Sequence, residues 1–374
     1  MPKALYLAEN FGSYATPELS LDRIMHFSGH NIGNFAFWNA ARKLLDAEYR
    51  CIPFGAKAVK KDDVDLILIP AANFLNDTAE LGWLADLIVD LDKPVIVMGI
   101  GAQSEHENEV PVLKDGTVRF LKEAAKRTPF LGLRGPFSAE VCAAHGVDNV
   151  RVLGCPSLFT SPDRELAHKA AAKWHSDIDK VAVHASSIKS HVRSAERFLF
   201  TLLQTVPGSS YIVQRPAELM KLIRGLETDE KDEVYLERVR TFLAPDLSRV
   251  RFAQILRQTG MIPYSVDSWR FALQSHSHSL GTRIHGAMMS LAAALPTICI
   301  THDTRTRELC ETMGVPNLPA SKIGRTSSVK EIFAEVTIDP EKFEENRSEK
   351  AQSYSELFTD LGFSPSTYFK KNFL

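Results

Sequence analysis

The sequence of 374 residues contains no long apolar run and no leader-like start. Its longest nearly apolar stretch, residues 287–300, is interrupted by Ser290 and Pro296. It is shorter than the roughly 18 residues that a membrane-spanning helix needs. The first ten residues hold one lysine but lack the apolar core of about 7 to 15 residues that marks a signal peptide. We therefore expect a cytoplasmic protein without a membrane span.

Paired cysteines and an excess of positive charge are also missing. The five cysteines form no CxxC pair and are odd in number, which argues against a disulfide framework and against a zinc knuckle. The 44 Lys and Arg residues face 46 Asp and Glu residues, which gives a net charge of −2. Such a chain has no overall positive field for nucleic acid, so we expect no nucleic-acid partner and only a local anion site.

Short runs rich in Val, Ile and Leu alternate with longer amphipathic segments along most of the chain. This alternation predicts an α/β fold with parallel sheets. A break at residues 160–163 separates two series of strands, so we predict an N-terminal domain at 1–160, a second domain at 161–339 and a helical tail at 340–374. The predicted strands lie at 4–7, 66–70, 95–98, 130–133, 150–153, 181–184, 211–214, 249–252 and 297–300.

The tail combines a helical pattern with a cluster of aromatic residues. Residues 341–357 read as a helix, and Phe363, Tyr368, Phe369 and Phe373 follow it. Aromatic side chains of this size are usually buried against a core. We therefore expect the tail to pack back on the first domain and to clamp the two halves together.

The segment with the clearest chemical signal runs from Gly281 to Gly286 and holds Arg283 and His285 just before an apolar helical run. In parallel α/β sheets, ligands bind at the carboxyl ends of strands, where the next helix begins. The arginine adds a planar and permanently charged group that suits phosphate or carboxylate. For a single Arg or His, a structural salt bridge or a helix cap is the more common explanation. Arg283, His285 and Gly286 together favour a functional site.

The first half has a similar arrangement, because a short strand delivers Arg134 just before a helix that starts near Pro136. If the two sheets face each other across a cleft, Arg134 and Arg283 can hold opposite sides of one small dianionic ligand. A separation of the two guanidinium groups beyond about 15 Å would exclude this arrangement, because domain closure and long side chains could not bridge it.

Other motifs give weaker signals. The turn at 99–103 has Gly99 and Gly101 but Ser104 where a dinucleotide fingerprint has its third glycine. The loop at 28–34 precedes a helix and is either a ligand-facing loop or a turn chosen for its glycines. No carboxylate or cysteine cluster joins any histidine pair, so we expect no metal. The sequence also lacks a GxSxG elbow and a Walker motif.

Seven segments in a fixed order carry a resemblance to a known family. They are residues 31–34, 97–103, 133–138 and 152–157 in the first half, and residues 281–286, 295–298 and 302–309 in the second. Together, over roughly residues 28–316, they resemble the polysaccharide pyruvyl transferase family.

This resemblance implies two Rossmann-like domains facing across a GT-B-like cleft, and transfer of pyruvate from phosphoenolpyruvate to a sugar of a cell-surface glycan as a ketal. Arg134 and Arg283 would then hold the donor, and His285 would act as the general acid, without a metal or another cofactor. The acceptor would be a sugar or a lipid-linked oligosaccharide, and no particular oligomeric state is indicated. Six further residues are expected to bind substrate: Gly286, Asn31, Asn34, Gln103, His184 and Asp303.

Two other functions stay open at this point. A GT-B-like glycosyltransferase that uses a nucleotide sugar would have the same fold and a basic cleft. A non-catalytic glycan-binding member of the family would keep the shape without turnover. Binding of a nucleotide sugar without any response to phosphoenolpyruvate would favour the first, and ligand binding without product would favour the second.

Overall fold

Two parallel β-sheets form the centre of the protein in the computed structural model, which describes residues 1–8, 19–55, 59–104, 109–185, 188–324 and 327–374. The strands of the first half are β1 (Lys3–Leu7), β2 (Glu48–Ile52), β3 (Leu66–Pro70), β4 (Val95–Met98), β5 (Leu131–Leu133) and β6 (Val150–Val152). Its helices are α1 (Leu21–Phe27), α2 (Asn34–Lys43), α3 (Gly82–Leu91), α4 (Asp115–Ala125) and α5 (Pro136–Ala144).

The second half repeats this alternation with more helices. Its strands are β7 (Val181–His184), β8 (Ser210–Ile212), β9 (Gly260–Met261), β10 (His278–Gly281), β11 (Thr297–Thr301) and β12 (Asn317–Pro319). Its helices are α6 (Leu166–Ala172), α7 (Arg193–Thr205), α8 (Ala217–Arg224), α9 (Glu230–Leu243), α10 (Arg249–Thr259), α11 (Val266–Leu273), α12 (Ile284–Ala292), α13 (Thr304–Met313) and α14 (Val329–Glu335). The tail forms α15 (Pro340–Asp360) and α16 (Thr367–Phe373).

Both sheets have the strand order of doubly wound folds. The first sheet runs β2-β1-β3-β4, and β5 pairs with β6 next to it through a bridge between Ile100 and Leu133. The second sheet runs β12-β11-β10-β7-β8-β9, and the pairs in both sheets are parallel. The strand order therefore reverses between β1 and β3 in one sheet and between β7 and β10 in the other, and ligands bind at such points.

The central strands are buried on both faces. All residues of β3, β4, β7, β10 and β11 are buried, whereas β2 at the edge has partly exposed positions. Helices cover both faces of a parallel sheet, which explains why these strands read as unbroken apolar runs. The predicted α/β fold with two Rossmann-like halves is confirmed.

One predicted strand is wrong. Residues 249–252 form the first turn of α10, although the alternation of Arg249, Val250, Arg251 and Phe252 favours a strand. The hydroxyl of Ser248 accepts a hydrogen bond from the Arg251 backbone N–H and caps the helix. The buried side chains continue at the spacing of a helix, at Phe252, Ile255 and Leu256.

The predicted break at 160–163 lies between the last strand of the first half and α6, and the tail helix α15 begins at Pro340. The exact domain limits at 160 and 339 stay a prediction. None of the helices in the described ranges is long and apolar enough to cross a membrane.

The tail packs back on the first domain, as predicted. The Ser366 hydroxyl donates to the Lys43 carbonyl over 2.6 Å, and the backbone N–H of Thr367 donates to the Asp46 carboxylate over 3.0 Å. On the other side, the Asn346 amide donates to the Thr312 carbonyl in α13 over 3.0 Å. The tail therefore contacts both halves and holds them together.

We expect the substitution Phe358→Ala to destabilise this clamp. Phe358 is fully buried, its ring stacks on Tyr354 with centroids 6.2 Å apart, and it also packs on Phe369. Loss of a buried phenyl ring costs about 3–5 kcal/mol because it leaves a cavity. Denaturant unfolding measures the loss, with Phe271→Ala at an exposed ring as the control. Equal stability of the two variants would contradict the proposed clamp.

Candidate functional site

The second half contributes one wall of a cleft at its strand-order reversal. Strand β10 ends at Gly281, Arg283 is the N-cap of α12, and His285 lies in the first turn of that helix. Gly281 lies so close to the backbone of His184 in the neighbouring strand β7 that a Cβ atom would clash there. Tight pairing of β7 and β10 thus fixes where the arginine and the histidine emerge.

The first half contributes Arg134, which directly follows β5. Its Nε donates to the Gly99 carbonyl over 2.9 Å, its Nη1 to the Asn73 side-chain oxygen over 2.6 Å and its Nη2 to the Ala71 carbonyl over 3.3 Å. These bonds use three of the five N–H donors of a guanidinium group. The other two have no hydrogen-bond partner among the described residues and are available for a ligand.

The glycine turn after β4 makes room for Arg134. Gly99 has a φ of +74°, which favours glycine, and a Cβ atom at Gly101 would lie 2.5 Å from Cδ of Arg134. Gly99 therefore allows the turn, and Gly101 leaves the space that the Arg134 side chain occupies. This explains a GxG pattern that lacks the rest of a dinucleotide fingerprint.

Arg134 and Arg283 meet in one small cavity of about 90 Å³ at the bottom of the cleft. The structure thus brings together the two arginines, His285, Asn31 and Asn34, which the sequence analysis placed in a site. The full lining consists of Asn31, Asn34, Ala72, Asn73, Arg134, Gln214, Thr282, Arg283, Ile284, His285, Arg305 and Thr306. It contains three arginines and no carboxylate among the described residues.

His285 is enclosed by residues of the first half. Its ring lies 5.2 Å from the ring of Phe37, and its Nε2 lies 3.6 Å from Sγ of Cys155. Burial, and then the positive charges of Arg134 and Arg305, lower the pKa of His285 to about 3. The imidazole is therefore neutral at pH 7 while the cavity holds no anion.

Arg283 is half-buried, and burial lowers its pKa, an effect that the nearby carboxylate of Glu196 opposes. Glu196 is itself buried, and it accepts a hydrogen bond from the Thr282 hydroxyl over 2.7 Å. This hydrogen bond connects the segment that carries Arg283 to α7. A guanidinium group is planar and permanently charged, which suits an incoming phosphate or carboxylate.

Gln103 and Asp303 lie in a larger adjoining cavity of about 780 Å³. Gln103 accepts a hydrogen bond from the Asn73 amide over 3.1 Å, which links it to the small cavity. Burial alone would raise the pKa of Asp303. Arg305, His302 and hydrogen bonds from Thr306 outweigh burial and hold this pKa at about 2. Asp303 also caps α13.

His184 and Gly286 lie behind the residues that line the small cavity. The His184 ring is buried, and its Nε2 lies 2.9 Å from the Ser290 hydroxyl. Gly286 packs so tightly on this ring that any side chain there would clash. Both residues support the first turn of α12, and their direct contact with substrate stays a prediction.

Two contacts cross the cleft next to the site. The buried carboxylate of Glu308 accepts hydrogen bonds from the Ser138 hydroxyl over 2.6 Å and from its backbone N–H over 3.0 Å. On the other side, the Ile32 backbone N–H donates to the Gln214 carbonyl over 3.0 Å. These contacts hold the halves in the closed arrangement that defines the small cavity.

Sequence reasoning missed several lining residues, among them Arg305, Asn73 and Gln214. Arg305 stood within a segment that carries the family resemblance, but nothing in its spacing distinguished it from Arg307. Asn73 follows the predicted strand at 66–70, and Gln214 is the last residue of the predicted strand at 211–214. Polar residues at strand ends were the available signal.

No group of three or more His, Cys, Asp or Glu side chains within the described ranges is arranged to hold a metal ion. The arrangement at the cleft is therefore one of cations and amides around a neutral imidazole. Such a set binds a small anion and places one potential proton donor next to it.

The solved structures to which this chain is similar include a UDP-GlcNAc 2-epimerase and two proteins solved with UDP. MnaA of S. aureus, solved with UDP, is 10% identical over 90% of this chain and 87% of that chain, with a TM-score of 0.43. The UDP-GlcNAc 2-epimerase of Methanocaldococcus jannaschii is 12% identical over 90% and 91%, with a TM-score of 0.42. Anabaena HepE, solved with UDP and glucose, is 10% identical over 94% and 100%, with a TM-score of 0.42.

No curated protein sequence matches the chain. The family model described as polysaccharide pyruvyl transferase matches residues 31–304. This stretch covers most of both halves and includes Arg134, Arg283 and His285. The chain therefore belongs to the polysaccharide pyruvyl transferase family.

Proposed function

We propose that the protein transfers pyruvate from phosphoenolpyruvate to two hydroxyl groups of a sugar, which forms a cyclic ketal and releases phosphate. The observation that carries this proposal is the small cavity in which arginines from both halves surround His285. The family supports a sugar or polysaccharide as the acceptor.

The charge and size of the cavity support phosphoenolpyruvate as the donor. Arg134, Arg283 and Arg305 line a volume of about 90 Å³ without an opposing carboxylate among the described residues. A ligand with both a phosphate and a carboxylate can engage arginines on two sides at once, with charge-assisted hydrogen bonds to each. Such a ligand also offsets the repulsion among three cations that line one cavity.

His285 supplies the proton. Burial and the charges of Arg134 and Arg305 lower the pKa of His285. An anion bound between the two arginines offsets their charges, so donor binding raises this pKa. The protonated ring then gives its proton to C3 of phosphoenolpyruvate while a sugar hydroxyl attacks C2. The C2–O bond to phosphate breaks as the second hydroxyl attacks. One hydroxyl proton returns to His285, and the other leaves with phosphate.

The acceptor enters through the larger cavity, where Gln103 and Asp303 face the approach to the donor. Asp303 stays ionised because its pKa is about 2. An ionised carboxylate only accepts hydrogen bonds, so it can hold a sugar hydroxyl by its proton. Asn31 and Asn34 contact the donor side from the first half.

The first expected outcome concerns donor binding by Arg283. A ligand that binds the folded state raises its unfolding temperature, so phosphoenolpyruvate should stabilise the native protein. Arg283→Ala should remove this shift, because one of the opposed cations is lost, and turnover should fall about a hundredfold to a thousandfold. The exposed Arg119, paired with Asp86, provides the control variant Arg119→Ala. An undiminished shift in Arg283→Ala would exclude Arg283 from the donor site.

The second expected outcome concerns protons taken up on binding. Because donor binding raises the pKa of His285 from about 3, the complex holds a proton that the free protein lacks, and affinity weakens as pH rises. Calorimetry in buffers of different ionisation enthalpy counts this uptake. His285→Gln sets the baseline for the ligand's own phosphate. Wild type should take up as much as about one proton more than His285→Gln near neutral pH, and equal uptake would reject His285 as the acid.

The third expected outcome concerns the reaction itself. With an accepted sugar in D₂O, protonation of C3 by the enzyme adds one deuterium, so the ketal should carry a CH₂D group. NMR of the product and of released phosphate detects this. Transfer of an intact enolpyruvyl group, with its CH₂ retained, would contradict ketal formation. Glycosyl transfer from a nucleotide sugar without use of phosphoenolpyruvate would contradict the whole proposal.

A further inference from the structure

Each half of the protein carries its own arginine of the donor cavity. The three hydrogen bonds of Arg134 all end on residues of the first half. Arg283 is the N-cap of α12, and the neighbouring Thr282 is bonded to Glu196 in α7 of the second half. Whether the two arginines share one cavity therefore depends on how the halves lie against each other.

Helix α13 of the second half lies at the opening between the halves. Residues 304–307 in its first turn line the small cavity and the larger one. Glu308 comes next in the sequence, and its side chain contacts Ser138 of the first half instead. A single helix thus lines both cavities and crosses to the other half.

The carboxylate of Glu308 takes the place of an N-cap side chain on α5. The N-cap of this helix is Gly135, so α5 has no side-chain cap of its own. One oxygen of Glu308 accepts from the Ser138 hydroxyl, and the other accepts from the Ser138 backbone N–H in the first turn. Negative charge at this end of a helix is favourable. The second half therefore completes the start of a helix in the first half.

This contact adjoins the segment that carries Arg134. Gly135 follows Arg134 directly, and a Cβ atom at Gly135 would clash with Cγ of Glu308. The φ of Gly135 is −175°, which any residue adopts, so space rather than conformation requires glycine. The Ser138 hydroxyl also accepts from the Ala102 backbone N–H over 3.0 Å, in the turn after β4. Glu308 therefore packs against the part of the first half that holds Arg134.

Apolar packing joins the halves elsewhere, for example between Phe37 of α2 and His285 of α12. The Glu308 contact is polar instead. Burial raises the pKa of Glu308, and the hydrogen bonds from Ser138 oppose this effect. The lost hydration of a buried carboxylate offsets part of what its hydrogen bonds contribute. The contact can therefore break and form again as the donor leaves and enters.

We propose that Glu308 is a positioning residue that sets the affinity for the donor, because its cap on α5 supplies free energy of closure before the donor binds. The inference rests on the proposed function, since phosphoenolpyruvate is the ligand that bridges Arg134 and Arg283. A donor that contacts both arginines stabilises the same closed arrangement as Glu308. Without Glu308 the donor has to supply this free energy, so its apparent affinity falls with the fraction of closed molecules.

Calorimetric titration of the full chain with phosphoenolpyruvate tests the effect on affinity. Glu308→Ala should weaken binding about tenfold or more, which corresponds to a closed fraction of about one tenth or less. Glu308→Gln should lie between this variant and wild type, because an amide keeps one acceptor but lacks the charge at the start of α5. The matched control Glu311→Ala, at an exposed position of α13, should bind within about twofold of wild type. Wild-type affinity in Glu308→Ala would overturn the proposal.

Small-angle X-ray scattering separates an effect on closure from a loss of folding. Without ligand, Glu308→Ala should have a larger radius of gyration than wild type, and saturating phosphoenolpyruvate should restore the wild-type value. A radius that equals wild type without ligand would overturn the proposal, and so would an enlarged radius that phosphoenolpyruvate leaves unchanged. If Glu308→Ala does not fold, Ser138→Ala removes one of the same hydrogen bonds from the other half and should change both measurements in the same direction.

The two measurements also distinguish failure of this inference from failure of the proposed function. Wild-type protein that binds phosphoenolpyruvate no better than Glu308→Ala would refute the role of Glu308 alone. Wild-type protein that does not bind phosphoenolpyruvate would refute the proposed donor and the role of Glu308 in its affinity. The scattering of Glu308→Ala without ligand would still show whether this residue closes the halves.

Discussion

The placement of buried Arg134 and half-buried Arg283 around one cavity is the constraint on which the rest of the structure depends. A guanidinium group inside a protein needs carbonyls, carboxylates or a ligand around it. The first half supplies carbonyl oxygens at the ends of its strands, and the second half supplies Glu196. The contact of Glu308 with Ser138 then holds the two halves close enough for both cations to share one cavity.

Much of the fold follows from the sequence, because buried parallel strands read as apolar runs and the helices between them are amphipathic. Short edge strands such as β9 and β12 carry too little pattern to be predicted. At 249–252, four alternating residues favoured a strand, while the longer helical spacing and the cap at Ser248 decided the outcome. Local pattern is weakest where a segment is short and partly exposed.

The site could be predicted only in part. Arg134 and Arg283 each follow a strand and precede a helix, and His285 lies in the first turn of the helix after Arg283. A sequence can reveal such junctions. The approach of Asn73 and Gln214 to these residues depends on how two sheets face each other, and no local pattern encodes that. The same limit explains Gly101, which looks like part of a nucleotide motif and instead leaves space for Arg134.

The cleft divides the chemistry between two volumes of different size and charge distribution. The small cavity places three arginines around a neutral imidazole. The adjoining cavity, which Gln103 and Asp303 line, has space for a larger ligand. A crystal structure with phosphoenolpyruvate bound tests the central claim most directly. The account predicts the ligand between Arg134 and Arg283 with C3 towards His285. Phosphoenolpyruvate bound outside this small cavity, or with its C3 pointing away from His285, would contradict the account.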